Sequence, residues 1–293
     1  MAVVRGAFNQ LLVPGARKVF VDEYNELPAI YPELFNIETS SRAFEDELVM
    51  TGLPIAVSKP EGEPIAFDRP RFRGRVRYIH SGFGLGYEIT KETVEDDLYK
   101  AVNSQGATNL ARSLREAEEV SAHAVFNNAF TTVQGYDGVP LISDQHTGVG
   151  SLTFSNIGDG DLSVAQLKAA QEYAMLLQND RGLRIRLSFS TLLVPAQLLF
   201  TANEILGAEF SRVAETDLGL KDVPNVTKQF GLKVKWSPFL TDPDSFYVMT
   251  DKSQHTFKWF WRRRPDDENG YDARSQVSWY GITARWSNGV TDW

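Results

Sequence analysis

A chain of 293 residues exceeds what one hydrophobic core usually serves, so two or three lobes are expected. Hydrophobic residues make up 42% and charged residues 23%, which suits a folding chain. The absence of cysteine excludes disulfides, thiolate metal sites and cysteine nucleophiles. A net charge of −8 argues against a protein built to grip nucleic acid, because that affinity comes from clustered Lys and Arg neutralising phosphates.

Met1-Ala2-Val3-Val4-Arg5-Gly6 is followed by no apolar run of signal-peptide length, and no stretch of about 20 apolar residues occurs, so folding in a cytosol is expected. Asn225-Val226-Thr227 fits a glycosylation sequon that would then have no compartment to act in. Residues 1–44 carry Phe8, Leu11, Leu12, Phe20, Tyr24, Tyr31 and Phe35, interrupted by Pro14-Gly15, Pro28 and Pro32. The prolines predict only short helical pieces such as 16–26. So much apolar surface predicts an arm laid across its own domain or a neighbour, with Phe8, Phe20 and Tyr24 as candidate contacts between copies.

Two extended runs follow, about 45–58 and 65–81, around a reversal at Lys59-Pro60-Glu61-Gly62-Glu63-Pro64. Arg69, Arg71, Arg73, Arg75 and Arg77 recur at a spacing of two. Strand side chains alternate, so five guanidinium groups share one face, with Phe72, Val76 and Tyr78 on the other. Such a face needs acidic company. Two readings fit: a solvated hairpin offset by Glu61, Glu63 and Asp68, or a docking strip for an acidic patch on another subunit.

Gly82, Gly84 and Gly86 predict a flexible joint, since their spacing is a poor phosphate-binding fingerprint with no βαβ unit around it. Thr90 is a candidate N-cap for helix from Lys91 onward, with a stripe at Leu110, Leu114, Ala117, Ser121, Ala124 and Asn128 and a possible kink at Gly106. His123 beside the stripe is expected in the core. Residues 131–162 form a long Gly, Asp and Ser-rich loop.

Ser163 and Gln166 form a capping box for helix 164–179, and Gly182 stops it. A strand over Leu183–Val194, a helix from Pro195 to about Leu206, and strands near 231–240 and 245–250 complete an α+β lobe. The tail holds Trp259, Trp261, Trp279, Trp286 and Trp293 of the six tryptophans. Its pattern predicts a strand ending at a charged turn over Arg262–Asp267, then a strand at about 275–286, forming a sheet on which the long helix packs.

Ala43-Phe44-Glu45-Asp46-Glu47-Leu48, Gly84-Leu85-Gly86-Tyr87-Glu88-Ile89-Thr90, Glu95-Asp96-Asp97-Leu98-Tyr99, Asn127-Asn128-Ala129-Phe130 and Asp137-Gly138-Val139-Pro140-Leu141, in this order, resemble phage major head proteins of the Mu gpT-like kind. The likeness covers nearly the whole chain. It implies the α+β HK97-type capsid fold: an N-terminal arm (1–44), an extended hairpin or E-loop (45–83), a peripheral P-domain with a spine helix (84–162 and 251–293) and an axial A-domain (163–250). It implies pentamers and hexamers closing an icosahedral virion capsid around double-stranded DNA, without sequence-specific binding and without a membrane. Assembly in the host bacterial cytoplasm follows, with copies of itself, scaffolding and portal proteins and a decoration protein as partners. A start directly at the arm favours a separate scaffold. No lysine–asparagine crosslink pair is assignable, and no cofactor, metal or catalytic residue is expected.

Two alternatives remain at this point. An encapsulin-type cellular compartment needs the same wall. A soluble hydrolase would use Ser143, Asp144 and His146, although a nucleophile and base this close on one loop seldom make a working triad.

Overall fold

The computed structural model describes residues 6–96, 99–148, 152–179, 181–215 and 219–293. Its elements begin with helices α1 (Gly6–Glu26) and α2 (Tyr31–Leu34), strands β1 (Asn36–Thr39), β2 (Phe44–Met50), β3 (Phe72–Ile79) and β4 (Ser81–Thr90), and helices α3 (Lys91–Glu95) and α4 (Tyr99–Asn127). There follow β5 (His146–Thr147), β6 (Thr153–Phe154), α5 (Val164–Leu176), β7 (Phe189–Pro195), α6 (Leu199–Gly207), β8 (Phe210–Glu215) and β9 (Gly219–Pro224). The last are β10 (Lys233–Ser237), β11 (Tyr247–Thr250), β12 (Phe257–Asp272) and β13 (Val277–Val290). The chain divides into two compact units, Met1–Glu45 with Tyr78–Ala122 and Lys258–Gly289, and Asp46–Arg77 with His123–Phe257 and Val290–Trp293.

The first unit is built on a four-stranded sheet of order β1-β12-β13-β4. β1 runs parallel to β12, and β13 runs antiparallel to β4 in a register that takes Val277 opposite Thr90 and Trp286 opposite Ser81. Trp259, Trp261 and Trp286 are buried on one face, where Trp259 meets Tyr31 at 4.4 Å and Trp286 stacks on Phe83 at 3.7 Å. Helix α4 packs on that face: Trp286 Nε1 donates to Ser121 Oγ (3.1 Å) and Asn288 Nδ2 to the Ser121 carbonyl (2.6 Å). Three of the five tail tryptophans thus supply the sheet face for the long helix, whereas Trp279 is exposed and Trp293 stacks on His146 in the second unit. Phe260 points the other way, against Tyr78 at 5.1 Å.

Several local expectations change. Helix α1 runs through Pro14-Gly15 instead of starting after them. Ala16 and Phe20, four residues apart on one face, are buried, and Tyr24 one turn on bonds to α4; tertiary anchoring of this kind offsets the one backbone bond a proline removes. Gly82, Gly84 and Gly86, expected as a joint, are interior to β4 and paired residue by residue with β13. A Cβ on Gly86 would stand 3.1 Å from the Tyr280 carbonyl oxygen, so closeness to the neighbouring strand explains that glycine. Helix α4 is continuous across Gly106, where a Cβ would stand 2.9 Å from the Tyr87 ring. The predicted charged turn Arg262–Asp267 is strand; β1 ends opposite Trp261, which leaves Pro265 on an open edge where its missing N–H costs nothing.

The second unit centres on β10-β7-β11, with β7 in the middle and Leu192, Leu193 and Val194 fully buried. Leu162, Leu167 and Ala202 close over it from the α5 and α6 side. Ser163 caps α5 by accepting from the Gln166 amide (3.3 Å), as its spacing predicted. That helix ends at Leu176, not 179, and β7 begins at Phe189, not Leu183, because Asn179 organises a turn between them. Asn179 Oδ1 accepts from the Arg181 and Leu183 amides, and Gly182 takes φ +79°. The pair β8–β9 was not anticipated. Asn225 of the sequon is buried, caps the following turn and donates to the Ile205 and Ala208 carbonyls, so it is structural.

Candidate functional site: an exposed hairpin

Strands β2 and β3 pair into a two-stranded sheet, and the 21 residues between them form two limbs without regular structure. At the root the Thr51 amide donates to the Arg71 carbonyl and the Arg71 amide to Thr51 Oγ1, both at 2.9 Å. At the tip Glu63 N–H donates to the Pro60 carbonyl and Gly62 adopts φ +83°, the reversal that Pro60 and Gly62 predicted. Gly52 through Phe72 are all exposed. Ile55 is 71% and Phe67 92% exposed, with Leu53, Val57 and Ile65 similarly open, an apolar area of a kind that soluble chains seldom leave uncovered.

The five arginines divide into three groups. Arg77 grips Asp46 of β2 with two bonds (2.7 and 2.8 Å) and Arg75 lies 3.5 Å from the same carboxylate, whose pKa the Arg77 hydrogen bonds hold below the usual range. Arg73 turns to the 131–148 loop, donating to the Gly148 carbonyl at 3.1 Å and to that of Thr147, with its guanidinium over the Tyr136 ring. Gly74 lies so near that a Cβ would sit 2.7 Å from the Tyr136 carbonyl oxygen. Arg69 and Arg71 precede β3 and are exposed; neither makes a direct ion pair among the described residues, although the Arg69 amide bonds Asp68 and the Arg71 charge acts on that carboxylate. The predicted single comb is therefore a strand-bound set of three and an open pair.

The arm residues are engaged within their own unit. Phe20 is buried; Tyr24 donates to Glu118 Oε1 (2.5 Å), with the Arg115 guanidinium 3.9 Å from its ring centroid. At Phe20 and Tyr24 the surface expected to be offered to another copy is covered by the chain itself; the Phe8 side chain lies outside those described.

The 143–146 cluster comes apart. His146 is buried, with Nδ1 2.7 Å from Asp137 and Nε2 3.2 Å from the Leu141 carbonyl oxygen, and its ring stacks on Trp293. Ser143 Oγ instead accepts from the Gln145 amide, and Asp144 is exposed. Among the described residues no group of three or more His, Asp or Glu could hold a metal ion. His123 is buried beside Phe126 and Phe239, as expected of a core histidine.

Sequence reasoning missed Glu118 and Glu119, both buried on α4. Arg115 donates to Glu118 (2.6 Å) and to the Tyr24 carbonyl (2.8 Å), while Glu119 accepts from the Ile30 and Tyr31 amides (2.6 and 3.2 Å). Burial pushes both carboxyl pKa values up. The signal was the four-residue ladder Leu110, Leu114, Glu118, Ala122, which the uncharged stripe through Ala117, Ser121 and Ala124 displaced.

A family model described as phage capsid protein matches residues 80–292. No curated protein matches the chain in sequence. Among solved structures, the procapsid of bacteriophage JBD30 is similar at TM-score 0.55 and 11% identity, over 99% of this chain and 74% of that one. The virus-like particle of Pyrococcus furiosus gives 0.55 and 10%, over 94% of each chain. The capsid of cyanophage P-SCSP1u gives 0.53 and 10%, over 90% and 85%. At such identities the structural likenesses speak for the fold, and the family match favours neither the cellular compartment nor the hydrolase. The chain belongs to the phage capsid protein family and is a major capsid protein of HK97-type fold that forms the phage head.

Proposed function

We propose that the hairpin between β2 and β3 is the limb by which one copy grips the next, so that pentamers and hexamers close into the head. The observation that carries this is the unbroken exposure of Gly52–Phe72, with Ile55, Ile65 and Phe67 uncovered. In water such a limb is marginal alone; on a neighbour its apolar side chains leave solvent. Arg69 and Arg71 then supply the charge that an acidic patch on the neighbour answers. Contacts of modest strength suffice because each copy makes several. The paired register of β4 argues that adjustment between five-fold and six-fold surroundings occurs in the hairpin limbs, not at Gly82, Gly84 and Gly86. The reading extends to a Mu gpT-like subfamily, to the arm, E-loop, P-domain and A-domain boundaries given above, to scaffolding, portal and decoration partners, and to assembly in the bacterial cytoplasm around double-stranded DNA.

Replacing residues 53–67 with a short Gly-Ser turn tests the limb. Unchanged melting with no shells in electron micrographs is the expected result. Shells at the wild-type yield would remove the hairpin from the assembly contact.

A further inference from the structure

Arg181 sits outside the arginine series, 104 positions beyond Arg77, yet it touches both limbs of the hairpin. Its Nη1 donates to Asp68 Oδ2 on the returning limb (3.0 Å) and its Nη2 to Thr51 Oγ1 on the outgoing limb (3.3 Å). The side chain is only 12% exposed, in contrast to the open limbs it holds. Its backbone is fixed by the tight turn on Asn179, whose own amide donates to the Leu183 carbonyl at 2.7 Å, and a Cβ on Gly52 would lie 3.4 Å from Asn179 Nδ2. Thr51 is buried and its hydroxyl oxygen also accepts from the Arg71 amide, so the Arg181 guanidinium joins the hydrogen bonds that close the root. On β3, Arg73 holds the return strand to the Thr147 and Gly148 carbonyls. Two arginines from different parts of the chain thus hold the hairpin's root.

We propose that Arg181 is a positioning residue for assembly: by bridging Thr51 and Asp68 it aims the hairpin at the next copy, and thereby sets the curvature and diameter of the shell. The proposal rests on the hairpin being the limb that reaches the neighbour. A planar fork with several donors can hold both limbs at once, which a lysine ammonium of the same charge does less well. With the bridge removed, Arg73 still tethers β3, so the limbs stay attached but sample a wider range of directions. Copies then meet at variable angles and close shells of more than one size.

The test compares the full-length wild type with Arg181→Ala, Arg181→Lys and the charge exchange Asp68→Arg with Arg181→Asp. Amide exchange on the unassembled chain and particle diameter by electron microscopy are the readouts. Arg181→Ala is expected to speed exchange at the Thr51 and Arg71 amides about tenfold or more while β7 and β13 stay protected, and to broaden the diameter distribution. Arg181→Lys should fall between, and the charge exchange should narrow the distribution again. Wild-type exchange, or fast exchange with a single wild-type diameter, would overturn the proposal. Complete loss of shells in Arg181→Ala supports it only when the charge exchange restores them, and otherwise refutes it. Shells that form without residues 53–67 refute the hairpin reading itself, whereas an unaltered Arg181→Ala particle refutes only the aiming role.

Discussion

At the scale of single residues, the most consequential departure from an ordinary amphipathic helix is the burial of Glu118 and Glu119 on α4. Charge in a low-dielectric setting is retained only with partners, and here Arg115, Tyr24 and the Ile30 and Tyr31 amides provide them. Removing one partner leaves the other charge stranded. Arg115→Ala is expected to destabilise the protein by about 3 kcal/mol or more, read as a fall in the urea midpoint. The pH dependence has a definite sign. Because burial raises both carboxyl pKa values above the ordinary 4.5, the folded state prefers the protonated forms. Their contribution is fully present below 4.5 and is lost as pH rises through the raised values. Glu119→Gln keeps an acceptor for the two amides and cannot titrate, so its urea midpoint should gain on the wild type as pH climbs from 4.5 toward neutrality. A constant difference across that range would show that Glu119 ionisation is not coupled to folding.

At the scale of elements, α4 is tied to the sheet beneath it by close approach as well as by apolar burial. Gly106 is unfavourable in a helix interior by about 1 kcal/mol relative to alanine, yet the helix carries it where the Tyr87 ring comes in. Tyr87 cannot swing aside freely, because its hydroxyl donates to Asn103 Oδ1 at 2.6 Å. Gly106→Ala is therefore expected to destabilise by about 1–3 kcal/mol through overpacking. In a Tyr87→Ala background the same substitution should instead stabilise, by up to about 1 kcal/mol, as helix propensity alone remains. Thermal denaturation of the four proteins of this cycle decides it, and equal signs in both backgrounds would show that Tyr87 is not the reason for the glycine.

For the whole molecule, the proposed hairpin contact makes the division of the arginines the basis for predicting how assembly answers to charge. Arg75 and Arg77 are satisfied by Asp46 within the hairpin, so reversing them disturbs the fold of β2 and β3 before it disturbs any neighbour. Arg69 and Arg71 make no ion pair of that kind among the described residues, although Asp68, whose pKa is lowered by the Arg69 amide and by Arg181, also feels the Arg71 charge. Arg69→Glu with Arg71→Glu is expected to leave the melting temperature within about 1 °C, since exposed substitutions away from special features change stability little, while lowering shell yield severalfold. Light scattering against salt concentration supplies the check. Unchanged yield and salt tolerance would show that these two arginines do not face an acidic neighbour.

Periodicity and turn chemistry made much of this protein legible in its sequence. The reversal at Pro60–Gly62, the Ser163 cap, the alternation through Phe257–Trp261 and the long helix over Leu110–Phe126 all depend on neighbours within a few residues. Family resemblance carried the capsid assignment. What the sequence could not specify were the encounters between distant segments. No local rule says that Pro14 is tolerated because α1 docks through Phe20 and Tyr24, that Gly106 is kept for Tyr87, or that Pro265 falls just past the end of β1. Nor does spacing reveal that Arg73 turns to Thr147, that Arg181 reaches Asp68, or that His146 takes Asp137 in place of Asp144. A residue's own position fixes which face of its element it occupies, but the partner waiting on that face is set by how the chain folds back. The arginine series illustrates this: a spacing of two gave the shared face, and only the tertiary arrangement decided which arginines are held by Asp46 or the 131–148 loop and which stay exposed.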